Sequence, residues 1–373
     1  MALHKAHPWL KSPLIVSAPM FRSVSAPLAV AVSQAGGLGF LAAGFDLQAS
    51  SLESNLAHAA ELLSTSPPLI PRGSDHDDDV LPIGVGFLTW GAPLTQALPL
   101  IKKYKPAAVW LFGSSASPEK RDNTYAKWSR GVREETGGKT KIWVQIGSVA
   151  QAQHIMDTVS PDVLVVQGSD AGGHGTNRSA SIVSLLPEIH DTLLQRQKGG
   201  SGGGAGGAGG AQLPSLIAAG GISDSRGVAA ALCLGADGVC LGTRFLAARE
   251  SPIAHGYQAE VLRATDGGVS TVCTTVYDRV RGITLWPTEY DGRGLYNRSW
   301  TDAQAGMSDE ENKRLYEAEM LKGDEGWGPE GRMTTYAGTG VGLVKDVKGA
   351  GEIVEELRAG AEALLSGGKS SGS

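Results

Sequence analysis

At 373 residues, 41% of them hydrophobic and 19% charged, the chain is long enough for one or two folded domains and too apolar to stay disordered. Its 33 Lys and Arg against 38 Asp and Glu leave a net charge of −5, without the basic excess that phosphate-backbone binding needs, so no nucleic-acid partner is expected. No run of 18 residues stays apolar, no clean signal peptide opens the chain, and Cys233, Cys240 and Cys273 have no metal-ligand spacing, so a reduced, intracellular, cytoplasmic protein without a membrane partner is expected.

In chain order, short continuous apolar runs fall at residues 14–18 (LIVSA), 38–42 (LGFLA), 82–88 (PIGVGFL), 107–112 (AAVWLF), 141–146 (KIWVQI), 162–167 (DVLVVQ), 215–219 (SLIAA) and 238–241 (GVCL). Segments of helical spacing lie between them at 26–34, 52–64, 92–103, 149–158 and 225–234. Apolar runs without polar alternation are strands buried on both faces, and their alternation with helices predicts a parallel sheet. Eight such β/α units closing on themselves give a (β/α)8 TIM barrel, with an open doubly wound sheet as the other arrangement.

Two stretches read as insertions: 66–79, rich in Pro and Asp, and 198–211 (KGGSGGGAGGAGGA), expected to be a flexible loop. From 251 to 333 the rhythm stops, Trp and Tyr appear, and a charged helix is expected at 309–322. We therefore expect a barrel at 1–250, a smaller second α/β domain at 251–335 inserted after strand eight, and a segment at 336–373 that returns to the barrel through a helical stretch at 345–365.

The 52 glycines are twice the ~7% of an average protein, and they gather just after the apolar runs, where a barrel carries its site-forming loops. After strand seven comes Ala219-Gly220-Gly221-Ile222, and after strand eight Leu241-Gly242-Thr243-Arg244-Phe245. Barrels bind a cofactor phosphate in this pair of loops, where glycine exposes backbone N–H groups. Arg244 would pair either with a phosphate or with a carboxylate of the second domain.

The densest feature follows strand six: Val166-Gln167-Gly168-Ser169-Asp170-Ala171-Gly172-Gly173-His174-Gly175, a composition that suits neither helix nor strand. A lone histidine is more often structural. Here the glycines and the position at the barrel mouth favour general acid or base work by His174. Gly37 to Ala42 matches G-x-G-x-x-A but runs into a strand instead of leaving one, so it is a decoy. Residues 75–79 (DHDDD) read as a solvated acidic loop, His154 and His190 as helix residues, and Gly338, Gly340 and Gly342 as a loop over the ligand. No apolar run leads into a G-x-S-x-G, so no serine-hydrolase elbow is expected.

Taken in order, Ser17-Ala18-Pro19-Met20, the Gln167–His174 loop, Ala219 to Ile222, Leu241 to Phe245 and Tyr336-Ala337-Gly338-Thr339-Gly340-Val341-Gly342 resemble the nitronate monooxygenases, formerly called 2-nitropropane dioxygenases. Residues 181–186 (SIVSLL) and Arg293-Gly294-Leu295-Tyr296-Asn297 make the chain most similar to the fungal-type members. The resemblance implies FMN across the barrel mouth, with Ala18, Pro19 and Met20 against the isoalloxazine ring. Gln145, Gln167 and Gly172 would contact the flavin, Gly220, Gly221, Gly242 and Thr243 would hold its phosphate, and His174 would be the base. It implies a small nitronate and O2 as reactants, with nitrite and a carbonyl compound as products. Phe21, Phe87, Trp90 and second-domain aromatics would bound the substrate. Two other readings keep the barrel: an NAD(P)H-dependent flavin quinone or enoyl reductase, and a non-catalytic flavin- or phosphate-binding barrel with a protein partner.

Overall fold

The computed structural model describes residues 2–67, 69, 80–114, 123–199 and 213–367. The acidic run 75–79 and residues 200–211 of the expected glycine loop lie outside the described residues, while Lys198 and Gly199, expected to open that loop, end a helix instead.

Nine strands carry the barrel and its principal loop: β1 (Leu14–Ser17), β2 (Leu38–Gly44), β3 (Leu81–Leu88), β4 (Pro106–Phe112), β5 (Lys141–Ile146), β6 (Val163–Gln167), β7 (Gly173–Thr176), β8 (Ser215–Ala219) and β9 (Gly238–Leu241). All of them except β7 pair in parallel in the order β1-β2-β3-β4-β5-β6-β8-β9, and β9 closes on β1 through Leu14 opposite Gly238 and Ser17 opposite Leu241. Each apolar run of the sequence is thus one barrel strand. Asp162, expected in the sixth, stands just before it, and its carboxylate accepts from Ile142 N at 2.8 Å. Asp237 does the same for Leu216 N, at 2.9 Å. These acids satisfy backbone donors at the start of the strands, where no further ladder is available.

Inside the barrel, Phe40, Trp110 and Trp143 form its floor, Phe40 standing edge-on to both indoles with centroids 5.2 Å away. The neighbouring strand makes room with Gly84, where a Cβ would come within 2.2 Å of the Phe40 ring. Leu3, Trp9 and Leu10 cover these rings from below, so the barrel is a packed core with only its upper end open.

The helices Ala26–Gln34, Leu52–Ser64 and Val149–Thr158 stand where their periodicity puts them, and the first and third begin on Ser25 and Ser148, whose hydroxyls accept from the third residue on. The expected 92–103 helix starts later, at Leu94, and ends at Tyr104, because Pro93 occupies its N-cap. Helices at Thr124–Thr136 and Ile182–Gly199 complete the outer layer. The last helix, Ala350–Leu365, packs against Ser225–Cys233 and Ala26–Gln34, and Arg358 donates to the carbonyls of Ala35 and Gly36 at 2.9 and 3.0 Å. No helix of the described residues is long and apolar enough to cross a membrane.

A second sheet lies over the mouth. Its strands β10 (Thr271–Thr274) and β11 (Tyr290–Leu295) pair antiparallel, and β11 continues antiparallel onto β7. The glycine-rich loop after β6 therefore contains a strand, which its composition did not suggest. The reason is steric: His174 lies opposite Gly292, where a Cβ would fall 3.3 Å from His174 Nε2 and 2.9 Å from the Tyr336 ring. Small residues on both strands leave that room. The charged helix expected at 309–322 is present as Asp309–Met320, begun by Ser308 as N-cap.

Candidate active site

One cavity of about 860 Å³ opens over the C-terminal ends of the barrel strands. Ala18, Pro19, Met20, Gln145, Gln167, Gly172, His174, Gly220, Gly221, Gly242 and Thr243 all line it. Residues spread over some two hundred positions meet there because parallel strands deliver all their following loops to the same end.

The β1 end is set by Ala18 N donating to Leu241 O at 3.0 Å, and Pro19 fits against Gly86, where a Cβ would lie 2.4 Å from its ring. At the end of β5, the Gln145 Oε1 accepts from Trp110 Nε1 at 3.0 Å. An indole N–H only donates, so the amide must turn its oxygen to Trp110 and its nitrogen away. That nitrogen, Gln145 Nε2, is buried with no hydrogen-bond partner in a residue that lines the cavity. Gln167 is spent on the chain itself, its Nε2 donating to the His174 carbonyl at 3.2 Å.

The glycine loops pack backbone against backbone. A Cβ on Gly172 would meet Gly338 N at 2.4 Å, and one on Gly340 would meet Gly221 O at 2.6 Å. Thr339 clasps the same contact, N to Asp170 O and Oγ1 to Asp170 Oδ1, each 3.0 Å, while Thr243 Oγ1 accepts from Gly338 N at 3.0 Å. Gly220 and Gly221 turn with φ of +107° and +75°, conformations that side chains disfavour. Gly338 and Gly340 of the late glycine run line the cavity, held down on the barrel loops. Arg244 is buried and points elsewhere, donating to Asp346 O at 2.9 Å and Oδ1 at 2.7 Å. Of its two readings, the carboxylate is the observed one, and it comes from the C-terminal segment and not from residues 251–335.

His174 is enclosed by residues that no local motif indicates. Its Nε2 lies 2.9 Å from both oxygens of Asp278, its ring stacks on Trp286 at 4.0 Å, and Tyr336 tilts against it at 5.4 Å. Tyr336 Oη donates to Asp278 Oδ1 at 3.1 Å, and the Arg281 guanidinium sits over the Tyr336 ring, 5.6 Å from its centroid. Burial, then the Asp278 charge, pushes the Tyr336 phenol well above its ordinary range, so it stays a donor. Arg281 also lines the cavity, and its Nη1 donates to Tyr336 Oη at 3.4 Å. Phe21 and Phe87 line the cavity as expected, and Trp90 stands behind, stacked on Phe45 at 4.8 Å and tilted against Trp286 at 5.3 Å. Asp278 is 104 positions from His174, beyond any spacing rule. The one available signal was an acidic residue set among apolar neighbours in Val276-Tyr277-Asp278-Arg279-Val280. The cavity thus combines an oriented imidazole, a guanidinium that donates to the Tyr336 phenol, an amide nitrogen without a partner and an aromatic wall. No group of three or more His, Cys, Asp or Glu among the described residues could hold a metal ion.

The profile of the nitronate monooxygenase family matches residues 125–360. The chain is 45% identical over 366 residues to nitronate monooxygenase npaC of Metarhizium robertsii, covering 98% of this chain and 95% of that one. It is 36% identical over 373 residues to a nitronate monooxygenase of Neurospora crassa, covering 96% and 92%. Its fold is similar to that of a nitroalkane oxidase from Streptomyces ansochromogenes, at 22% identity and TM-score 0.69 over 98% of this chain and 99% of that one. It is also similar to that of FabK from Thermotoga maritima, at 20% identity and TM-score 0.67 over 98% and 97%.

Proposed function

This chain belongs to the nitronate monooxygenase family, and we propose that it binds FMN across the barrel mouth and oxidises small alkyl nitronates with O2 to carbonyl compounds and nitrite. The observation that carries this reading is the meeting of His174 with the ten expected flavin-binding positions in one cavity.

The residues present fit a flavin. Gln145 Nε2 is a buried donor lacking an acceptor, and a flavin ring edge is rich in acceptors. Ala18, Pro19 and Met20 supply an apolar strip for one face of the ring. Gly220, Gly221, Gly242 and Thr243 end the adjacent strands β8 and β9, where bare backbone suits a phosphate. FMN, when bound, supplies the redox chemistry between the nitronate and O2.

The protein's own residues bind, orient and handle the proton. His174 takes a proton from the carbon beside a neutral nitro group, or faces a nitronate already formed. Arg281 offers positive charge to the anion inside a cavity walled by Trp286, Tyr336 and Phe112, where reduced water strengthens the attraction. In the same reading, residues 1–250 are the FMN-binding barrel, 251–335 the smaller domain that covers it, and 336–373 the returning segment.

The deciding experiment is anaerobic. Purified protein loaded with FMN is mixed with ethylnitronate while the flavin absorbance is followed, and oxygen is then admitted and nitrite measured. Loss of the oxidised flavin bands followed by nitrite supports the proposal. Flavin that responds only to NAD(P)H would replace it with a reductase, and failure to bind FMN would remove both.

A further inference from the structure

The two ring nitrogens of His174 have different surroundings. Nε2 lies 2.9 Å from each oxygen of Asp278, whereas Nδ1 makes no hydrogen bond to a described residue. Asp278 is 4% exposed, and its Oδ1 also accepts from Tyr336 Oη at 3.1 Å. An ionised carboxylate only accepts, so a neutral imidazole facing it carries its hydrogen on Nε2 and leaves the lone pair on Nδ1. The ring is held in this orientation by Trp286, which covers one face with planes 8° from parallel, while Gln167 ties the backbone carbonyl. Gly292 of β11 preserves the space in which Nε2 meets Asp278.

We propose that Asp278, held by Tyr336, is the positioning residue of the site: it keeps the hydrogen of His174 on Nε2 and makes Nδ1 the atom that takes the proton from the carbon beside the nitro group. The inference rests on the reading of His174 as the base. In this step the C–H bond breaks, its electron pair moves onto the nitro oxygens, and an N–H bond forms at Nδ1. The products are a nitronate and an imidazolium with hydrogen on both nitrogens, its charge facing Asp278. No oxidant is required. The ionisable groups around the ring are Asp278 on the helix Val276–Val280, Asp291 on β11, Tyr336 on the returning segment, and Arg281. Burial, then the Asp278 charge, raises Asp291 above its ordinary range, opposed by His174.

The test uses the full chain loaded with FMN and two variants, Asp278→Asn and the milder Tyr336→Phe. Nitrogen-15 NMR of the His174 ring, identified by its loss in His174→Asn, should give the Nε2–H tautomer in the native protein and a shift toward Nδ1–H in Asp278→Asn. Turnover of nitroethane should fall on the order of 10²–10³-fold in Asp278→Asn, within the 10²–10⁴-fold that general-base catalysis supplies, while turnover of ethylnitronate stays near native. Tyr336→Phe should move both readouts the same way by less, and it decides the matter if Asp278→Asn does not fold. A native ring protonated on Nδ1, unchanged nitroethane turnover, or equal losses on both substrates would overturn the proposal. If His174→Asn itself loses both substrates equally, the base reading fails instead, whatever Asp278 does.

Discussion

The indole of Trp286 lies flat on the imidazole of His174, ring centroids 4.0 Å apart and planes 8° from parallel. The indole belongs to a row of rings, Phe21, Phe45, Trp90 and Trp286, that leads to His174 along one side of the mouth. Removing it in Trp286→Ala admits water to that face and frees the ring to tilt. Nitrite release from nitroethane should fall roughly 5-fold, the worth of a lost aromatic contact of ~1 kcal/mol, and Trp286→Phe should recover most of it. Native rates in Trp286→Ala would mean that Asp278 alone holds the ring.

Gln145 is expected to bind FMN through the nitrogen that has no partner in the protein. Replacing it in Gln145→Leu should weaken FMN roughly 10- to 100-fold, as one hydrogen bond from a buried donor is worth about 1–3 kcal/mol. The flavin-free protein should also melt earlier, because Trp110 Nε1 loses its acceptor. Titration of FMN fluorescence gives the first number and calorimetry the second. Unchanged affinity would remove Gln145 from the cofactor site.

A methyl group at Gly292 should damage the site selectively. In Gly292→Ala the new Cβ meets His174 Nε2 and the Tyr336 ring, at 3.3 and 2.9 Å. The expected cost is about 1–3 kcal/mol of stability, read by urea unfolding. Nitroethane turnover should fall further than ethylnitronate turnover, because the displaced groups are those proposed to manage the proton.

Arg281 gives a prediction of the opposite kind. In Arg281→Met, KM for a nitronate anion should rise roughly 10-fold with kcat little changed, since a charge that attracts the anion before reaction contributes to binding and not to the chemical step. The rise should shrink as salt is added to the native reference. A fall in kcat at constant KM would place the guanidinium in the reaction itself.

Acid should destabilise the fold through His7, under the barrel floor. Its imidazole is 1% exposed, and burial, with Lys141 beside it, lowers its pKa from 6.5 to about 4. Between these values the unfolded chain binds the proton and the folded chain does not, so stability rises with pH across that window. The contribution is whole above pH 6.5, is lost as pH falls toward 4, and amounts to about 3 kcal/mol. Urea midpoints across this range should flatten in His7→Leu, and an equal slope in both proteins would assign the acid sensitivity elsewhere.

The eight barrel strands are legible because a strand buried on both faces has to be apolar throughout, and little else in a protein of this kind is. The helix Thr124–Thr136 was not, since TYAKWSRGVREET buries only a few residues and its face is mostly polar. Asp278 was invisible for a different reason: antiparallel pairing of β7 with β11 decides what His174 meets, and pairing across 118 positions leaves no trace in local composition. Gln145 and Gln167 look alike as strand-end amides, yet one keeps a buried nitrogen without a partner and the other is tied to a carbonyl.

The strand β7 has a consequence for how the His174 ring is aimed. Along a strand successive side chains alternate between the two sides of the sheet, so sliding β7 by one residue against β11 would swing His174 to the reverse side, away from Asp278 and Trp286. Aim is therefore a matter of alignment between two stretches of chain as much as of the histidine itself. Deletion of Gly168, between β6 and β7, would keep every named side chain and still leave a barrel whose His174 looks outward.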